Sequence, residues 1–132
     1  MKTVRFVRII AAVLVGEITL ILLTTVAQEV LFDGISYSSS STLELIIGGL
    51  GTFIAAVLAG IMARWVGKAY CRIVPHIISL LILAETTYLI SMNRTLDPIW
   101  FDGIAGASLI LGVWVGYFYK KLIKRSALKP VR

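Results

Sequence analysis

The sequence predicts an all-α membrane protein: a bundle of four transmembrane helices with both ends on the cytoplasmic side. Three observations predict it: four long apolar runs, basic residues gathered on one side of those runs, and no alternation of polar and apolar positions. Of the 132 residues, 58% are hydrophobic and 15% charged, and the mean hydropathy is +0.92. A soluble domain of this length holds about 45–50% apolar residues. The excess sits in the runs, so it reports membrane spans rather than a generous core.

A hydrocarbon core ~30 Å thick takes ~20 residues of helix to cross. Segments at about 6–28, 43–66, 73–92 and 99–119 meet that length. Strands are excluded because open sheet edges cannot sit in lipid, and a barrel would need alternating faces. Of the 13 basic residues all but Arg94 fall on one side. They lie at the start (Lys2, Arg5, Arg8), in the turn after the second span (Arg64, Lys68, Arg72) and in the tail from 120 to 132. The positive-inside rule then places both ends in the cytoplasm. A basic start, an apolar run and Thr25-Val26-Ala27 also have the form of a cleaved signal peptide. Glu17 in the middle of that run, and a length sufficient to span, argue for a retained first helix.

The joints follow from local chemistry. Ser38 to Thr42 form a polar outer loop, and Thr42 with Glu44 behind it is placed to cap the second span. Pro75 and Pro98 fall in the first turns of the third and fourth spans, where a missing N–H costs little. The whole chain reads as one membrane domain followed by a basic cytoplasmic tail. Trp100 and Tyr37 outside, and Trp65, Tyr70, Tyr117 and Tyr119 inside, are expected to form interfacial belts.

Small residues mark the packing faces. Gly48, Thr52, Ala56 and Gly60 recur every four residues on the second span, with Gly51, Ala55, Ala59 and Ala63 beside them. The fourth span has Ser108, Gly112 and Gly116, and the first has Ala12 and Gly16. Helices in lipid gain little from hydrophobicity when they meet, so close backbone approach must hold them. These rows serve the bundle itself or a second chain.

Acids inside a span are costly and point to function. Glu17 lies about ten residues into the first span and Glu85 about eleven into the third, so at ~1.5 Å per residue both fall near the midplane. Thr24 and Gln28 share the face of Glu17, forming a polar stripe. Glu17, Glu85, Thr24 and Gln28 are therefore the candidate proton or cation site. The two acids either share a proton or a cation, or each bonds a neighbouring carbonyl or threonine. His76 points away from Glu85, in line with Ser79 and Thr87. Arg94 and Asp97 are expected to pair weakly in the outer loop.

Other chemistries are excluded by count. One cysteine, Cys71, in the predicted second turn, allows no internal disulfide, and one histidine with one cysteine makes no metal centre. No cofactor is implied. Gly48-Gly49-Leu50-Gly51 lies within a membrane helix and is no phosphate loop. No nucleophile-and-base set is visible, so an enzyme is not expected. The formal charge of +6, concentrated in Lys120, Lys121, Lys124 and Arg125, fits anionic lipid headgroups rather than nucleic acid.

A Gly-rich second span ending in Ala63-Arg64, a short basic turn, His76 opening the third span and Pro98-Ile99-Trp100 before a Gly-rich fourth span together resemble uncharacterised small bacterial four-span proteins. That resemblance implies a bacterial inner membrane and no assigned activity. Glu17 and Gly112-Val113 also resemble positions of small multidrug resistance exporters. The third span departs from that pattern, with Tyr88 as its only aromatic, and the strong charge bias departs from their dual topology. The expected function is that of an accessory or structural membrane subunit acting through helix contacts, as a homo-oligomer or beside a partner chain. The alternative is an oligomeric proton- or cation-coupled transporter using Glu17.

Overall fold

A computed structural model of the chain describes residues 2–31, 33–68 and 72–128. It contains four long helices: α1 (Lys2–Thr25), α2 (Thr42–Gly67), α3 (Val74–Ser91) and α4 (Ile99–Ala127). α1 continues into a π-helical turn, Val26–Val30. All four are long and apolar enough to cross a membrane, and no strand occurs among the described residues. α1 and α4 each lie against both α2 and α3, while α2 and α3 barely meet. The helices thus stand at the corners of a square, in the order α1, α2, α4, α3.

Each boundary has a local cause. Ser41, not Thr42, caps α2: its hydroxyl accepts from the Glu44 N–H at 3.3 Å, and the Glu44 carboxylate accepts from the Ser41 N–H at 2.7 Å. This reciprocal pair satisfies two helix-start donors at once. Pro75 sits in the first turn of α3, as expected, whereas Pro98 is the cap residue before α4 rather than part of its first turn. Asn93, at φ 47°, stops α3 with a left-handed residue that asparagine tolerates. Cys71, Tyr70 and the final four residues lie outside the described residues.

The spans differ in length. The 18 residues of α3 rise about 27 Å, just the thickness of the apolar core. The 29 residues of α4 rise about 44 Å, so its last turns carry Lys120, Lys121, Lys124 and Arg125, all exposed, past the apolar zone. The basic segment therefore begins as helix, continuous with the fourth span through Ala127.

The core is built from the small-residue rows. Gly48, Thr52, Ala56 and Gly60 are all buried, as are Ala55, Ala59 and Ala63; Gly51 is half-buried. A Cβ added at Gly60 would strike the Val113 carbonyl, and one at Gly116 would strike the Val57 carbonyl. At Gly112 it would lie 2.6 Å from the Ala56 Cβ. α2 and α4 therefore meet backbone to backbone, which is possible only where side chains are missing. Gly16 gives α1 a close approach of another kind, with the side chains of Ile78 and Ala63 pressed against its backbone. Tyr117 is 1% exposed: it belongs to this core and not to an interfacial aromatic belt. Trp65 and Trp100 are 72% and 55% exposed.

Candidate functional site

Two distinct polar regions result, and the residues singled out by sequence divide between them. The first is the seam between α1 and α3. Glu17 is half-buried there, and its Oε1 is fully enclosed with no hydrogen-bond partner among the described residues. Glu85 stands close enough for the two carboxyl groups to interact electrostatically. The two acids thus lie within electrostatic reach of each other. Glu85 is exposed on the flank of the bundle, so the pair lies at an edge rather than in the central core.

Thr24 keeps its place seven residues after Glu17 in the same α-helix, and its hydroxyl donates to the Leu20 carbonyl at 2.8 Å, one turn back, the ordinary way for a threonine to satisfy itself within a helix. Gln28 separates from Glu17. It sits in the π turn, and its Nε2 donates to the Thr52 hydroxyl at 3.4 Å. Thr52, 8% exposed, donates in turn to the Gly48 carbonyl at 2.8 Å. The stripe read from α-helical periodicity is broken because the π turn changes the helix phase before Gln28.

The second region is a cavity of about 670 Å³ at the end of the bundle that carries the α1–α2 and α3–α4 loops. Below it, α2 and α4 touch at Gly60, Gly112 and Gly116; above that level they enclose space. Gln28 and Thr52 line it from α1 and α2, Thr86 from α3 and Ser108 from α4, with Asp97 and Asp102 at the loop end. Gly106, further along α4, closes one side by packing on Thr86.

The two aspartates are held in place. The Asp97 Oδ1 accepts from the Tyr37 N–H at 2.9 Å and from the Ser36 hydroxyl at 3.4 Å. It therefore ties the α1–α2 loop to the α3–α4 loop, in place of the expected pairing with Arg94. The Asp102 Oδ2 accepts from the Thr95 hydroxyl at 2.6 Å. Tyr37 stacks edge-on against Trp100 at 5.2 Å and tilts against Phe101 at 5.4 Å. Sequence gave no signal for this clamp: its partners are about 60 residues apart and depend on where two loops meet.

At the opposite end of the bundle, the His76 ring lies edge-on to Trp114 at 4.8 Å, and its Nδ1 is 3.1 Å from the Arg72 carbonyl. The Trp114 indole donates to the Ser79 hydroxyl at 2.8 Å, which donates to the Pro75 carbonyl. His76 and Ser79 thus share a neighbour in Trp114, and Thr87 bonds its own Leu83 carbonyl. Among the described residues no group of three His, Cys, Asp or Glu side chains converges as a metal site would require. No protein-family model, no curated protein and no solved structure matches the chain.

Proposed function

We propose that this chain is a small multi-pass membrane subunit that works by lateral helix docking, with the α1–α3 flank as its docking face. One observation carries the reading. An acid exposed on the side of a membrane helix, Glu85, stands beside a buried and unpartnered carboxyl oxygen of Glu17. Ionisable groups at membrane depth face a protein interior or a water-filled path and not lipid. A second membrane helix laid on this flank, from another copy or a partner subunit, supplies that cover. On this reading the protein is not an enzyme and needs no cofactor. It sits in a bacterial inner membrane with both termini cytoplasmic, and Lys120, Lys121, Lys124 and Arg125 touch anionic headgroups.

Photo-crosslinking in native membranes tests it. A crosslinker at Leu81, exposed on α3, should give a discrete protein adduct, and one at Leu111, exposed on α4, should not. Glu85→Leu should remove the adduct at Leu81. A chain that stays monomeric in nanodiscs and crosslinks only to lipid at both positions would sink the proposal. Orientation is tested separately by membrane-impermeant thiol labelling in a Cys71→Ser background. Ser39→Cys should react in intact cells, and Lys124→Cys only after lysis.

The unpartnered Glu17 oxygen also favours a second reading, an oligomeric transporter that binds a proton or cation there. Reconstituted liposomes would then show pH-gradient-driven flux that Glu17→Gln abolishes.

A further inference from the structure

We propose that the outer cavity binds one membrane lipid, with an ammonium headgroup at Asp97 and Asp102 and an acyl chain lying inward along α2 and α4. The inference does not rest on the α1–α3 flank, because none of the cavity's lining residues belongs to the acid pair.

Size comes first. The volume of about 670 Å³ falls within the ~300–1,000 Å³ typical of ligand pockets. Chemistry comes second. The body of the cavity is walled by Leu45, Phe53 and Leu109, so it suits a hydrocarbon chain. Ile46, Leu50 and Ile104 line it as well and are 55%, 59% and 62% exposed. The cavity is therefore open along the side that these residues share with the bilayer, and a chain can enter from lipid.

Charge comes third. Asp97 and Asp102 both line the cavity, and no Lys, Arg or His does. Each carboxylate is oriented through one oxygen, Oδ1 of Asp97 and Oδ2 of Asp102. Its other oxygen has no hydrogen bond among the described residues and is not sealed from solvent. Arg94, the nearest cation in sequence, is exposed and outside the lining. A site with two negative charges and none to balance them selects a cation. Phe101, on the same wall, offers an aromatic surface that an ammonium group favours. The aromatic group of Tyr37, Trp100 and Phe101 sets this end at headgroup level, where such rings collect. An apolar chain below and an ammonium group at the interface describe a zwitterionic aminophospholipid.

Native mass spectrometry of the full chain tests this, after exchange into micelles holding equal phosphatidylethanolamine and phosphatidylglycerol. One bound phosphatidylethanolamine is expected per chain, in preference to phosphatidylglycerol. Asp102→Asn should lower its retention about tenfold, the effect of losing one charge-assisted contact. Gly49→Phe is the second variant. Gly49 lines the cavity and nothing lies within 4 Å of its would-be Cβ, so the ring fills the space without disturbing a helix contact; it should abolish retention at unchanged thermal stability. Equal retention of the two lipids, or a preference that survives both variants, would overturn the proposal. Displacement by dodecylamine but not by dodecanol would confirm selection for the ammonium head. If dodecylamine binds and no lipid is retained, the occupant is a free amine and the lipid assignment is wrong.

Discussion

The Arg64 guanidinium donates to the main-chain carbonyl of Tyr117 at 2.7 Å and lies 5.9 Å from the centroid of the Tyr117 ring. One side chain thereby fastens the C-terminal end of α2 to α4 through backbone and aromatic face together. The Tyr117 hydroxyl completes the joint by donating to the Lys68 carbonyl at 3.3 Å. Arg64→Met is expected to destabilise the bundle by about 1.5–3 kcal/mol, the range for a hydrogen bond from a charged donor. Tyr117→Phe should cost only about 0.5–1.5 kcal/mol, and Tyr117→Ala about 3–5 kcal/mol because it also empties a core position. Unfolding titrations in mixed micelles would rank the three; equal losses for the two tyrosine variants would contradict the ring's role.

Backbone contact between α2 and α4 gives a sharper contrast. Gly60→Ala and Gly116→Ala each drive a methyl group into a carbonyl of the facing helix, and overpacking of this kind costs about 1–3 kcal/mol. Gly103→Ala meets nothing within 4 Å and should stabilise α4 by about 0.5–1 kcal/mol through helix propensity alone. Thermal melts of the three variants should therefore move in opposite directions.

Lys68 ends α2 at φ 56° and ψ 177°, a conformation nearly reserved for glycine, costing on the order of 1–3 kcal/mol. Lys68→Gly keeps the backbone carbonyl that receives Tyr117 and is expected to raise stability by about 1 kcal/mol. A lowered melting temperature would show that the lysine side chain contributes more than its backbone costs.

Asp97 holds the α1–α2 loop by two hydrogen bonds. Asp97→Ala should release residues 36–41 from the α3–α4 loop, so that the already exposed Ser38 and Ser39 can be drawn into a protease cleft. The opening free energy should fall by about 1.5–3 kcal/mol, or roughly tenfold to a hundredfold in cleavage rate. Ser38→Ala, which leaves both bonds to Asp97 in place, should cleave at the wild-type rate.

The four spans were legible because a helix in lipid must be apolar throughout, and that demand leaves its mark residue by residue. The contact faces were legible too, since Gly60 and Gly116 can be recognised by size alone. Glu17 and Glu85 stood out because a charge in such a run has no ordinary place. What periodicity missed arises between elements. Tyr117 was assigned to a belt because its neighbours in sequence are interfacial, yet Arg64 and Lys68 draw it into the core. The grouping of Gln28 with Glu17 assumed a uniform α-helix, and the π turn removed that assumption. The outer cavity has no sequence signature at all, because it depends on where α2 and α4 cease to touch.

The π turn at Val26–Val30 also bears on how this chain tolerates changes in length. Such a turn holds a residue more than the α-helical ladder around it requires. Deleting one residue there should let the segment wind back to α-helix, leaving α1 and Ala12 against their partners. The same deletion beside Ala12 would swing one side of the helix through about 100° relative to the other and tear Gly16 from Ile78 and Ala63. The first helix thus has an expansion joint near its C-terminal end, where a residue can be gained or lost without re-aiming the rest of the helix.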